Sequence, residues 1–152
     1  MNSITFALSF LYKLSTLQTS LSMASIFTKI INGELPCYKI LETENCLVFL
    51  DINTLKKGHT LVIPKKEIDC FYEVDDELLS ELMLLAKKVA RAIKKSVPCR
   101  RVGLTLIGIE VAHTHFHLVP IDKVSDMAFA NEKLKLTPEE FKQIQEDIIR
   151  NL

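Results

Sequence analysis

The sequence predicts an α+β fold with a mostly antiparallel sheet. Apolar segments of strand length come in two groups, and one long amphipathic helix lies between the groups. Strands and helices do not alternate, as they would if crossover helices joined the strands of a parallel sheet. At 152 residues the chain has the length of one domain with a sizeable core. We therefore expect a sheet of five strands, one long helix and a C-terminal helix.

The first half of the domain is predicted to form a short helix and three strands. Ser25 is a suitable N-cap for a helix over residues 26–32, which Gly33 ends. A polar segment between the first two apolar runs has the composition of a hairpin turn. The predicted strands are residues 37–41, 46–51 and 59–64.

The clearest helix is predicted over residues 75–95. Acidic residues at its start and lysines at its end complement the helix dipole. Its apolar residues recur at spacings of three and four and form one stripe: Leu78, Leu82, Ala86, Val89 and Ile93. Two strands, residues 102–107 and 112–120, follow this helix. Thr137 then begins a capping box with a proline in the first turn, which predicts the C-terminal helix.

Three of the four histidines, His113, His115 and His117, occupy alternate positions of the last predicted strand. Alternate residues of a strand project from one face, so a row of imidazoles is expected there. Imidazole can act as a nucleophile, a proton donor or a metal ligand near neutral pH. The pattern favours a catalytic or ligand-binding site, and it leaves a metal site and a purely structural polar face as alternatives.

The spacing of these histidines disfavours a zinc site made from all three. The outer two would lie about 13 Å apart along a straight strand, whereas zinc binds nitrogen at about 2.1 Å. A site that uses two of them would need further ligands, for which Glu110, His59 and the cysteines are candidates.

The composition argues against several kinds of partner and compartment. Acidic and basic residues balance at 19 each, which gives no overall field that would attract nucleic acid. The four cysteines lack paired spacing, which favours reduced thiols in a cytoplasmic protein over disulfides or a zinc ribbon. We expect neither nucleic acid nor membrane as a partner.

The first 22 residues differ from the rest of the chain. They contain one basic residue and no acidic one, without the basic start of a secretory signal or the arginines of a mitochondrial presequence. Their apolar stretch is shorter than the ~20 residues of a membrane span. We expect residues 1–22 to be a disordered or mis-annotated extension, with a targeting segment as the alternative, ahead of a single domain over residues 23–152.

The segment from Gly108 to Pro120 resembles the signature of the histidine triad (HIT) family, in which three histidines alternate with apolar residues. Residues 25–36, 48–52 and 57–65 match further blocks in the family's order, so the resemblance runs from about residue 23 to residue 121. Within the family, the chain most resembles the Hint-like branch of nucleotide-binding hydrolases. It implies a HIT-like α+β fold with a five-stranded antiparallel sheet, no cofactor and a homodimer.

The resemblance implies a role for each histidine. His115 would attack the α-phosphate and form a covalent nucleotidyl-imidazole intermediate, which water then hydrolyses. His117 would hydrogen-bond the phosphate or the departing group. His113 would contribute to the architecture around the nucleophile, and His59 would buttress the triad. From its own sequence context, His59 would be an ordinary buried histidine.

The resemblance also implies a nucleotide pocket. Asp51 corresponds to a ligand of the ribose, although an Asp after a strand is otherwise a common turn residue. An apolar set corresponds to residues that sandwich the purine: Ile26, Phe27, Ile30, Phe49, Ile52 and Leu61. Gly108 and the backbone of Val111 correspond to the turn beside the phosphate, where a missing Cβ lets the main chain approach the anion.

Three positions of that turn depart from the family pattern. Ile107 stands where an asparagine often ends the strand, and Ile109 where glutamine is common. Glu110, which also belongs to the predicted nucleotide pocket, stands where Ser or Thr often donates to the phosphate. Each change removes a polar phosphate contact, and a carboxylate at residue 110 adds like charge. Ser25 and Thr28 stand where some members carry a Cys-x-x-Cys zinc pair, so we expect no metal.

The sequence therefore predicts a HIT-type nucleoside phosphoramidase or nucleotide hydrolase. It would cleave a P–N or P–O bond at the α-phosphate of an AMP-like purine nucleotide. The alternatives are a purine nucleotide-binding or interaction protein without catalytic activity, and a histidine-based metal enzyme. The long helix carries apolar residues outside its stripe, which favour a second packing partner and hence the homodimer: Leu79, Met83, Leu84 and Leu85.

Overall fold

The structure, a computed structural model, describes residues 24–152, so the expectations for residues 1–22 lie outside the described residues. The helices are α1 (Ile26–Ile31), α2 (Asp76–Ser96) and α3 (Pro138–Arg150). The strands are β1 (Lys39–Glu42), β2 (Cys46–Leu50), β3 (Thr60–Pro64), β4 (Arg101–Thr105) and β5 (Phe116–Ile121). No helix within residues 24–152 is both long and apolar enough to cross a membrane.

The five strands form one antiparallel sheet in the order β1-β2-β3-β5-β4. This confirms the predicted α+β class, the antiparallel sheet, the long helix and the C-terminal helix. The caps predicted at Ser25 and Thr137 are also confirmed, because each side chain accepts a hydrogen bond from a backbone N–H of the first turn. Asp75 is the N-cap of α2, which therefore begins one residue later than predicted.

Different elements cover the two faces of the sheet. On one face α2 and α3 pack against alternate strand residues such as Val48, Val62 and Phe116. The predicted stripe of α2 is buried there in full. On the other face α1 covers a smaller apolar cluster: Phe27, Leu47, Phe49, Leu61 and Ile63. Because α1 has only six residues, much of this second face is left for a site.

The histidine segment is not the single strand that the alternation predicts. β5 begins at Phe116, so His113 and His115 lie in the irregular segment before it. Pairing between β3 and β5 ends where Val62 lies opposite Phe116, and the next free carbonyl of β3, that of Pro64, accepts from the His113 ring at 2.8 Å. The side chain thus occupies a backbone acceptor that a longer strand would need.

Candidate active site

A cavity of about 530 Å³ lies on the α1 face of the sheet. The structure brings every predicted nucleotide-binding residue to its wall: Ile26, Phe27, Ile30, Phe49, Asp51, Ile52, Leu61, Gly108, Glu110 and Val111. His115 and His117 also line it. His59 and His113 are not lining residues and are almost fully buried, with 1% and 0% of their surface exposed.

The register of the sheet explains why these distant residues meet. Phe49 of β2 lies opposite Leu61 of β3, and Leu61 lies opposite His117 of β5. Directly opposed residues of antiparallel strands point to the same face, so an apolar floor adjoins an imidazole. α1 places the Phe27 ring 5.8 Å from that of Phe49 and 5.1 Å from that of His115. The cavity therefore joins an apolar slot beside Phe27 and Phe49 to a polar end beside His115 and His117.

A backbone carbonyl holds His115 in one tautomer. Its Nδ1 lies 2.6 Å from the carbonyl oxygen of His113. A carbonyl oxygen can only accept, so Nδ1 carries the hydrogen and Nε2 of the neutral ring keeps its lone pair. The residue is only 7% exposed, with its ring 4.7 Å from that of His117. Nε2 of His115 is thus the nitrogen available as a nucleophile.

A directed chain of hydrogen bonds sets the tautomer of His117. The N–H of Leu55 donates to Nδ1 of His59 at 3.2 Å. Nε2 of His59 therefore carries the hydrogen and donates to Nδ1 of His117 at 3.0 Å. His117 in turn carries its hydrogen on Nε2, which leaves that N–H free to donate to a ligand.

Burial keeps both members of this pair neutral. It lowers the pKa of the His117 ring to about 3, helped by the neighbouring rings of His115 and His59 and by Lys133. Burial also lowers the pKa of the His59 ring, against the opposing effect of the Asp51 carboxylate. Two neutral rings are what the directed chain of hydrogen bonds requires, because a doubly protonated ring has no acceptor nitrogen.

His113 ties α1 to the sheet. Its Nε2 donates to the carbonyl of Pro64, so its Nδ1 accepts from the hydroxyl of Ser25 at 3.0 Å. The carboxylate of Glu67 accepts from the hydroxyl of Thr28 and from the backbone N–H of Ser25. This network links α1, the helix that carries Phe27, to the sheet, and the architectural role expected of His113 around the nucleophile stays a prediction.

One group of possible metal ligands lies together within residues 24–152, namely Asp51, His59 and His117, whose donor atoms are within 4.8 Å of one another. It includes neither Glu110 nor a cysteine, the extra ligands considered from the sequence. The facing nitrogens of the two histidines already hydrogen-bond each other. A metal ion here would have to replace that bond and the proton within it.

The turn beside the cavity contains a glycine with a left-handed backbone conformation. Gly108 has a φ of +70°, and a Cβ built there would have no atom within 4 Å. The left-handed backbone by itself favours glycine here, and the expected approach of an anion to this turn stays a prediction. Ile109 and Glu110 follow it, and both side chains are exposed. Because no residue from 107 to 111 carries a hydroxyl or an amide, the turn offers the cavity no such side chain.

Sequence reasoning missed two residues that line the polar end of the cavity, Phe129 and Lys133. The Phe129 ring packs edge-on against His117 at 4.7 Å between centroids. Both residues lie in the irregular segment between β5 and α3, which has no periodicity that could predict their position. No sequence signal would have found them.

Known proteins are similar to this chain in sequence and in fold. Residues 32–124 match the HIT domain. A protein of Borreliella burgdorferi described as an uncharacterized HIT-like protein is 39% identical over 84% of this chain and 97% of its own length. Adenosine 5'-monophosphoramidase hnt1 of Schizosaccharomyces pombe is 35% identical over 83% of this chain and 96% of its own. The crystal structure of a Hit-like protein involved in cell-cycle regulation from Bartonella henselae aligns with a TM-score of 0.74 at 28% identity, over 84% of this chain and 96% of that one.

Proposed function

We propose that this chain, which belongs to the HIT domain family, is a nucleotide hydrolase or transferase that cleaves a P–N or P–O bond at the α-phosphate of a purine nucleotide derivative. The observation that carries this proposal is His115, which lines the cavity with Nε2 left free by the hydrogen bond at Nδ1. The monophosphoramidase activity named for the S. pombe relative supports an AMP phosphoramidate as the substrate to test first.

Binding of the nucleotide would use both parts of the cavity. The purine fits the apolar slot between α1 and the sheet floor, where Phe27 and Phe49 supply aromatic surface. Asp51, at the end of β2, has a partly exposed carboxylate that can accept hydrogen bonds from both ribose hydroxyls. A base and ribose held in this way would place the α-phosphate at the polar end, beside His115 and His117.

The reaction would proceed in two displacements at phosphorus. Nε2 of His115 forms a bond to the α-phosphorus, and the P–N bond breaks with its electron pair on the departing nitrogen, which takes up a proton from solvent. The N–H at Nε2 of His117 donates to the phosphate or the departing group and stabilises the developing charge. A water molecule then attacks the nucleotidyl-histidine, gives AMP, restores neutral His115 and releases a proton in place of the one consumed.

The His115→Ala variant tests this mechanism. We expect turnover of an AMP phosphoramidate to fall by at least about 10³-fold, because the nucleophile is removed. AMP affinity should change only slightly, since the apolar slot and Asp51 remain. The wild-type enzyme, quenched in acid during turnover, should carry one adenylyl group by mass spectrometry, and the variant should not. Unchanged turnover in the variant contradicts the mechanism.

A metal-dependent enzyme is the second candidate, because Asp51, His59 and His117 bring three donor groups together. Activity that survives a strong chelator, in protein whose metal analysis is blank, excludes it. Activity that a chelator abolishes and one divalent metal restores would favour it over the covalent mechanism.

A binding protein without catalytic activity is the third candidate, since the turn at residues 107–111 lacks polar side chains other than Glu110. A joint calorimetric and kinetic screen with AMP, GMP and their phosphoramidates separates it from the enzyme. Tight AMP binding without turnover of any P–N or P–O substrate would favour the binding protein.

A further inference from the structure

The charges around the cavity do not suit an anionic ligand unless one further residue takes part. The lining residues include two carboxylates, Asp51 and Glu110, and a single lysine or arginine, Lys133. A nucleotide phosphate needs cationic or hydrogen-bonding partners when it leaves water. Residues 107–111 are Ile, Gly, Ile, Glu and Val, so the turn beside the phosphate position supplies no cation, hydroxyl or amide side chain.

Lys133 is held at the polar end of the cavity by its own segment. Its ammonium donates to the carbonyl of Phe129 at 2.5 Å and lies 5.4 Å from the centroid of the Phe129 ring. That ring packs against His117 at 4.7 Å and against His59 at 6.3 Å. The ammonium therefore stays near the histidines, because the carbonyl and the ring face both attract it.

The ammonium of Lys133 has capacity left for a ligand. An ammonium has three hydrogens, and the Phe129 carbonyl accepts one of them. No carboxylate within residues 24–152 forms an ion pair with it. Its positive charge is felt at the site, since it helps to lower the pKa of both His117 and His59.

We propose that Lys133 is a phosphate-binding residue, which supplies the positive charge that the turn at residues 107–111 lacks. This inference rests on the proposed nucleotide site. Its two remaining N–H groups contact the non-bridging oxygens of the α-phosphate next to His117. The substrate class follows from this contact: the ligand carries an anionic phosphoryl group at the polar end, and a neutral nucleoside gains nothing from Lys133.

The Lys133→Met variant tests the role, because methionine keeps an apolar stem over Phe129 and removes the charge. By calorimetry we expect AMP affinity to fall by about 10- to 100-fold, the effect of losing a charge-assisted contact, while adenosine affinity stays within about twofold. Lys133→Arg should keep most of the AMP affinity. The matched control is Lys135→Met, an exposed lysine of the same segment, which should change neither affinity.

Each other outcome overturns a different statement. Equal losses for AMP and adenosine would mean that Lys133 only supports the wall through Phe129, and unchanged AMP affinity would mean that it does not contact the phosphate. Neither result contradicts the proposed nucleotide site. A wild-type protein that binds no AMP would contradict the nucleotide site, and the inference about Lys133 with it.

Discussion

The four histidines of this chain differ in chemistry because each ring nitrogen has a different partner. The carbonyl of His113 accepts the Nδ1 hydrogen of His115, which leaves the lone pair on Nε2. The chain from Leu55 through His59 leaves an N–H on His117. Since His113 uses both nitrogens on Pro64 and Ser25, it has no capacity left for a ligand. Backbone groups thus determine which ring nitrogen of His115, His59 and His117 carries the hydrogen.

The buried histidines predict that the protein loses stability in mild acid. Burial is the main cause that lowers the pKa values of His59, His113 and His117 in the folded state, and the value for His117 is about 3. Their pKa values in the unfolded chain are about 6.5, so below that pH the unfolded state binds more protons. The stability they contribute is complete above about pH 6.5 and is lost as the pH falls towards the folded values.

Urea unfolding between pH 7.5 and pH 5 measures this effect. In that window each of the three rings adds up to about 1.4 kcal/mol per pH unit to the slope, and carboxylates have not begun to titrate in bulk. The His117→Gln variant should have a shallower slope by up to that amount, whatever its absolute stability. A free energy of unfolding that does not change over this window contradicts the assignment of neutral buried rings.

At the scale of elements, the six-residue helix α1 forms one wall of the apolar slot through Phe27. A helix of this length is not stable alone, so tertiary contacts must hold it. Ser25 caps it and donates to His113, while Glu67 binds Ser25 and Thr28 from the segment after β3. These contacts fix Phe27 over the sheet, and they explain why the slot can exist as a preformed feature.

Replacing Ser25 with alanine should therefore affect both stability and binding. Loss of the cap, together with an unsatisfied nitrogen on buried His113, should lower the free energy of unfolding by about 1–3 kcal/mol. The AMP affinity should fall as well, because α1 carries one wall of the slot. The control is Ser80→Ala on the exposed face of α2, where the hydroxyl donates only to the carbonyl of Asp76. Equal small effects for the two variants contradict the role of Ser25.

At the scale of the whole molecule, the structure narrows the surface available for the expected homodimer. Of the four apolar residues outside the stripe of α2, Leu85 is buried and Leu79 packs on the core of its own chain. Met83 and Leu84 are exposed by 46% and 66%. Leu104 is exposed on the edge strand β4, which packs beside α2. A surface made of α2 and β4 is thus the one on which we expect a second copy.

Light scattering of the full chain tests the dimer. We expect twice the monomer mass at micromolar concentration, and a Leu84→Glu variant should shift towards the monomer because it places a charge in an apolar interface. Ile149→Glu, a similar change at an exposed position of α3, should leave the mass unaltered. A wild-type protein that is monomeric under these conditions shows that the dimer prediction is wrong.

The sequence by itself determined the features that depend on neighbours along the chain. The three helices begin within one residue of the predictions, because caps and the spacing of apolar residues act within a few residues. The five strands and their α+β class follow from the order of apolar runs. The candidate site residues came from local motifs in a resemblance, and their roles stay predictions.

Only the tertiary structure decided the features that depend on segments meeting in space. β5 starts at Phe116, and the ring of the preceding His113 hydrogen-bonds instead to the carbonyl of Pro64, which lies 49 residues earlier. Lys133 reaches the cavity through an irregular segment whose path depends on packing against His117 and not on any repeat. Hydrogen-bond partners and charges brought together in this way are fixed by long-range packing, which local spacing does not encode.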